Sequence, residues 1–241
     1  MAKKDILSGE RPNIAAVVAD VIDPKGIKQA IKSGAGLLEL RIDTFKDRDI
    51  ERLKKEVSGL KRIKTLRKIP FILTVRDKKE GGRFYIKDAD REAIFSSLMP
   101  YADFIDIELK SSAILGETIR LAKKNGKKVI LSCHDFKATP GGKTLESTIR
   151  RSLVAGADIV KIACLAKNRQ DLKRLAGLLL RHKGLIVIAM GRYGACSRIL
   201  FPAIGSVLTY GSISRKTAPG QMPAGDIHKL LKCIGLRPAA F

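Results

Sequence analysis

The chain has 241 residues, 45% of them hydrophobic, and carries 47 Lys and Arg against 24 Asp and Glu, a formal charge of +23. That is enough apolar material for an enzyme-sized α/β unit, while the lack of any run of about eighteen apolar residues argues against a membrane span, and MAKKDILSGERPN at the N-terminus has lysines without the apolar stretch of a leader behind them. The cysteines at 133, 164, 196 and 233 form no C-x-x-C pair, so the expectation is neither a zinc site nor a disulfide framework but a soluble protein of a reduced, cytoplasmic compartment.

Eight short apolar runs follow one another at 13–19, 36–42, 69–76, 103–109, 127–133, 157–163, 185–190 and 204–210, with helical patterns between most of them. Continuous apolar strands alternating with helices pair in parallel. Eight of them within this length predict a closed (β/α)8 barrel, a single domain over 1–241. An open, doubly wound sheet competes with it, but no G-x-G-x-x-G follows the first run, against a dinucleotide-binding version. Helix limits are read from caps: 111–125 stops at Gly126, 144–155 at Gly156, 169–183 lies between Asn168 and Gly184, and 224–236 closes the fold.

The basic excess invites a polyanion-binding reading. Its densest stretch, Lys54 to Lys68, is however interleaved with Leu53, Val57, Leu60, Ile63 and Leu66 at three- and four-residue steps, as on the outer face of an amphipathic helix. With aromatic residues at 5%, no Trp and no recognition motif, the charge reads as solvated surface that would favour a small anionic substrate, without specific nucleic-acid or membrane binding.

Active sites in barrels of this kind gather at the C-terminal ends of the strands. The second run delivers Glu39, Arg41 and Asp43 there, the third Arg76 and Glu80, the fourth Glu108, the fifth His134, the sixth Lys161 and the seventh Met190. Glu39, Arg41 and Asp43 alternate onto one face, fit for an internal ion-pair cluster, a substrate clamp, or both. Glu80 precedes Gly81-Gly82, which would let backbone approach a ligand or form only a turn. His134 reads as a hydrogen-bonded core histidine or a proton carrier, and the loop after it, through Pro140-Gly141-Gly142, favours the second. Lys161, between Val160 and Ile162, reads as a structural lysine or as one whose desolvation disfavours the ammonium and frees the amine to attack a ketone. Farther on, Gly194, Ser197-Arg198, Gly205-Ser206 and Ala218-Pro219-Gly220-Gln221 read as small-residue loops around one arginine, suited to an anion, with 211–223 either functional or a flexible connection.

Together ELRID at 39–43, TVRDKKEGGRF at 74–84, SCHDF at 132–136, ADIVKIA at 157–163, MGRYGACSR at 190–198, GSVLTYGS at 205–212 and APGQ at 218–221 resemble type I 3-dehydroquinate dehydratase, in the family's order and across almost the whole chain. The resemblance implies a (β/α)8 fold and a hydro-lyase of the shikimate pathway's third step. Lys161 would form a Schiff base with the substrate ketone, with His134 as general base and acid and Glu80 beside it. Arg198 would hold the substrate carboxylate, and Glu39, Arg41, Arg76, Thr217 and Gln221 would bind hydroxyl groups or organise the site. It implies further a homodimer and chemistry without metal or cofactor. Tyr210 and Thr217 stand where the family often carries Phe and Ser. Two other readings compete: a Schiff-base aldolase or transaldolase, which also needs a strand-end lysine, and the polyanion-binding protein above.

Overall fold

The computed structural model describes residues 11–238; the ends of the expected 1–241 domain, and most of the N-terminal stretch read for a leader, lie outside them. In chain order the elements are β1 (Ile14–Val18), α1 (Pro24–Lys32), β2 (Leu37–Arg41), α2 (Ile50–Arg62), β3 (Phe71–Thr74), α3 (Asp88–Leu98), β4 (Phe104–Glu108), α4 (Ser112–Lys124), β5 (Lys128–Asp135), α5 (Gly142–Ala155), β6 (Ile159–Leu165), α6 (Arg169–Arg181), β7 (Leu185–Met190), α7 (Gly194–Ala203), β8 (Thr209–Ser212), a two-residue β9 (Met222–Pro223) and α8 (Ala224–Cys233). All strand pairs are parallel, in the order β7-β6-β5-β4-β3-β2-β1-β8-β9. Between β7 and β8 the sheet curls shut through single bonds, Val207 N–H to Leu185 O at 2.9 Å and Val187 N–H to Ser206 Oγ at 3.2 Å. This is the expected (β/α)8 architecture.

Local chemistry sets the boundaries. Asp23 caps α1 by accepting from the Lys25 and Gly26 amides, with Pro24 in the first turn, and Asn168 caps α6 by accepting from Asp171. Three expected boundaries move. Helix α2 ends at Arg62, not near residue 68, because Ile63 turns extended and its carbonyl takes the Leu66 and Arg67 amides in a fresh turn that leads into β3. The eighth strand pairs regularly only from Thr209, since Gly205 at φ 113° and the Ser206 amide bond to Phe201 O complete a turn after α7. Arg198, read as a loop residue, lies on helix α7. No helix among the described residues is long and apolar enough to cross a membrane.

The period-two geometry of strands then sorts the side chains into two layers. Leu38 and Leu40, Phe71 and Leu73, Ile105 and Ile107, and Val129 and Leu131 face the helices, packing with Leu53, Val57 and Leu60 of α2 and their counterparts. Residues of the opposite parity enter the barrel: Leu37, Ile72, Phe104, Ile130, Ile159 and Ile186 form an apolar plug. Two and four residues farther along the same strands, the inward positions become Glu39 and Arg41, Thr74 and Arg76, Asp106 and Glu108, Ser132 and His134, and Lys161. The plug thus gives way to a polar floor.

Candidate active site

Lys161 projects from the middle of β6 and is buried, with its Nζ 2.8 Å from Asp106 Oδ2 and 3.5 Å from Glu39 Oε1. The lysine therefore meets carboxylates brought by β4 and β2, not the apolar surroundings its strand neighbours suggested. Asp106 also accepts from Arg76 Nη2 at 2.8 Å and from the Ser132 hydroxyl at 2.7 Å. Burial alone would raise the Asp106 carboxyl, but Arg76 and Lys161 hold it well below the usual carboxylate range. Arg76 reaches on to Glu108 at 2.7 Å, Glu108 is paired with Arg91 and accepts from Ser111 Oγ at 2.7 Å, and the two acids outweigh burial to keep Arg76 firmly charged. Arg41 forks onto Asp43 through two bonds of 2.8 Å, and Asp43 in turn accepts from the Arg76 and Arg83 amides at 3.2 Å. Four internal cations thus face four carboxylates, and the charge excess of the chain lies outside this network.

His134, one residue before the end of β5, has a different setting. Its amide donates to Glu80 Oε2 at 2.9 Å and its Nδ1 lies 3.1 Å from the same oxygen, while Glu80 Oε1 has no partner among the described residues. Burial pushes the Glu80 carboxyl up to about 7 against the opposing pull of Arg76. Burial, reinforced by Arg76 and Lys161, holds the His134 imidazole well below its ordinary value. The contact is accordingly a hydrogen bond to a neutral imidazole, not an ion pair. Glu80 closes the single turn Lys78–Glu80, ended by Gly81 at φ 89°. A Cβ there would lie 2.4 Å from Cζ of Phe136, whose ring stacks on His134 with centroids 6.4 Å apart. Gly81 serves the histidine's packing as well as the turn.

Arg198 of α7 is buried, and its hydrogen bonds run only to carbonyl oxygens: Nε to Tyr210 O at 3.1 Å, Nη1 to Gly194 O at 2.8 Å and to Gly220 O at 3.0 Å. With no carboxylate paired to it among the described residues, burial draws its guanidinium down to about 10. Gly220 belongs to the loop 213–221, which Gln221 Oε1 ties together by accepting from Thr217 N at 2.6 Å and Thr217 Oγ1 at 3.2 Å. The ring of Tyr210, from β8, covers Lys161 Nζ at 4.0 Å from its centroid.

Lys161, His134, Arg198 and Tyr210 share one cleft at the C-terminal end of the barrel. All nine residues singled out as site residues line it: Lys161, His134, Glu80, Glu39, Arg41, Arg76, Arg198, Thr217 and Gln221. Two that matter to its geometry, Asp106 and Ser132, were not singled out. The alternation of DFIDIEL at 103–109 places Asp106 on the same face as Glu108, which is the signal that could have found it. Chemically, the cleft joins an amine held among acids, a neutral imidazole with a carboxyl behind it, and a guanidinium without a counter-charge. Those groups suit imine formation with an anionic ketone and proton transfer beside the imine.

Residues 18–238 match the type I 3-dehydroquinase family. The chain is 36% identical to the 3-dehydroquinate dehydratase of Methanococcoides burtonii over 227 residues, covering 93% of this chain and 95% of that one. It is 35% identical to the enzyme of the same name from Aquifex aeolicus, covering 91% and 97%. The Aquifex aeolicus crystal structure superposes with a TM-score of 0.81, covering 92% of this chain and 98% of that one at 34% identity. The Yersinia pestis dihydropteroate synthase, at 12% identity and a TM-score of 0.61 over 94% of this chain and 93% of that one, shares the fold alone.

Proposed function

Since the chain belongs to the type I 3-dehydroquinase family and is a hydro-lyase, we propose that it converts 3-dehydroquinate to 3-dehydroshikimate and water through a Schiff base on Lys161, the third step of the shikimate pathway. The observation that carries the reading is one cleft holding buried Lys161, neutral His134 and an Arg198 that has no carboxylate partner among the described residues. The substrate offers a matching ketone and carboxylate.

Lys161 passes its ammonium proton to neutral His134 and, as the free amine, attacks the C3 ketone; His134 returns protons to the oxygen as the carbinolamine loses it as water, leaving an iminium. The iminium withdraws electrons from C2, so His134 can take a C2 proton and leave an enamine. Collapse of the enamine expels the C1 hydroxyl, which His134 protonates to water, and hydrolysis of the product iminium frees Lys161. Asp106 at 2.8 Å suits the cationic nitrogen in the resting ammonium and in the iminium alike. Glu80, next to Nδ1, holds the ring so that Nε2 is the atom available for the proton. Arg198 fixes the carboxylate on C1 and so aims the leaving hydroxyl. Glu39, Arg41, Arg76, Thr217 and Gln221 bind substrate hydroxyls or brace the residues that do, and the loop 213–221 excludes water.

The test is an assay for the new double bond, whose conjugation with the ketone gives the product an ultraviolet absorbance that the substrate lacks. Folded protein that leaves 3-dehydroquinate unchanged overturns the reading. His134→Ala should bind substrate covalently yet stall, so that adduct accumulates; near-normal turnover would remove His134 from its role.

A further inference from the structure

Among the described residues six buried side-chain polar atoms have no hydrogen-bond partner, and two of them, Glu80 Oε1 and Tyr210 Oη, belong to residues lining the cleft. Glu80 still makes two contacts through its other oxygen. The Tyr210 hydroxyl has nothing. Leaving such a hydroxyl dry is unfavourable, and phenylalanine would fill the same space without it. A tyrosine here is explained by a partner that arrives with the ligand.

Where that partner sits follows from the ring. The Tyr210 centroid is 4.0 Å from Lys161 Nζ, so Oη, one bond beyond the ring, is placed for atoms two or three bonds from that nitrogen. Once Lys161 is joined to the ketone carbon, the neighbouring ring carbon of 3-dehydroquinate carries a hydroxyl at that range. Burial, with Glu39 and Asp106 nearby, pushes the phenol well above its ordinary value, so Oη keeps its proton and remains a donor. The backbone of Tyr210 is fixed independently, its carbonyl accepting from Arg198 Nε at 3.1 Å. One residue thus connects the amine to the carboxylate clamp.

Resting on the function proposed above, we propose that Tyr210 is a substrate-binding and specificity-determining residue whose Oη donates to the C4 hydroxyl next to the ketone while its ring covers the nitrogen that becomes the iminium. The bond exists in ground state and transition state alike, so its loss raises KM and leaves kcat nearly unchanged. A site built to bind a hydroxyl also rejects the analogue lacking it.

The experiment compares kcat/KM for 3-dehydroquinate and its 4-deoxy analogue in the unaltered enzyme and in Tyr210→Phe. Expected are a roughly tenfold rise in KM for 3-dehydroquinate in the variant, a preference for the parent substrate that shrinks by a similar factor, and a melting temperature equal to or above that of the unaltered enzyme. An unchanged preference, or a KM that does not move in a variant that is folded, overturns the assignment. If the unaltered enzyme consumes 3-dehydroquinate, that failure belongs to Tyr210 alone; if it does not, the function and this assignment fall together.

Discussion

On the β2 to β6 side of the cleft the charged groups meet opposite charges, Lys161 with Asp106 and Arg41 with Asp43 each at 2.8 Å, whereas on the α7 and β8 side Arg198 meets only carbonyl oxygens and Tyr210 Oη meets nothing among the described residues. The first wall is complete within the protein, and a buried pair of this kind holds its members in fixed positions at the expense of their hydration. The second wall is complete only when an anion and a hydroxyl are added. In the proposed reaction one side keeps the reacting amine in place, and the other selects what reaches it.

The comparison can be broken at several points. Lys161→Ala removes the only amine that lines the cleft among the described residues and should lower turnover by at least about 10⁴-fold, since no other lining group there can make an imine; residual activity close to normal would contradict the role. Asp106→Asn strips a charge from Arg76 and Lys161 together and should cost about 3–5 kcal/mol of stability in denaturant unfolding, because it leaves buried cations uncompensated. Arg198→Gln should act mainly on binding: KM up by about 100-fold from the loss of charge-assisted bonds to substrate, with a smaller loss of stability, about 1–3 kcal/mol, from the buried carbonyls of Tyr210, Gly194 and Gly220 that lose their donor. If Asp106→Asn were as stable as the parent while Arg198→Gln unfolded, the two walls would have been assigned the wrong way round.

Smaller effects sharpen the same contrast. The Glu80 carboxyl, with a folded value near 7 against an ordinary 4.5, binds its proton more tightly folded than unfolded. Its contribution to stability is therefore complete below pH 4.5 and declines as pH rises toward 7. Ionised Glu80 accepts from Nδ1 and leaves Nε2 as base, so kcat/KM should rise with pH through about 7, and Glu80→Gln should remove both trends. His134, already neutral there, does not account for that limb. The smallest change concerns Arg215, whose 3.3 Å contact with Asp20 joins the loop 213–221 to an aspartate in left-handed conformation at φ 67° that also receives Arg83 at 3.0 Å. This exposed pair contributes little, so Arg215→Ala should speed proteolysis of the loop no more than about fivefold, and bound substrate should slow it.

Much of the fold was legible because a parallel barrel is written as separate apolar runs, each visible within a window of a few residues. The plug and the polar floor follow from the same alternation. Asp106 was harder to see. It meets Lys161 from 55 residues away and Glu39 does so from 122, and strand neighbours such as Val160 and Ile162 say nothing of either. Asp158, the acid nearest in sequence, pairs instead with Lys128 at 2.7 Å. Arg198 was visible as a residue but misplaced, because Gly194-Ala195-Cys196-Ser197 reads as a loop while the glycine only begins the helix. Tyr210 stood out as a departure from the family's phenylalanine, but its place over Lys161 depends on β8 and β6 facing each other across the barrel.

The measurement that bears most directly on this account is borohydride reduction with and without 3-dehydroquinate, followed by peptide mass spectrometry. A substrate-dependent, reduction-stable adduct on the peptide carrying Lys161 is the expected result. Consumption of 3-dehydroquinate with no adduct, or with the adduct on another lysine, would contradict it.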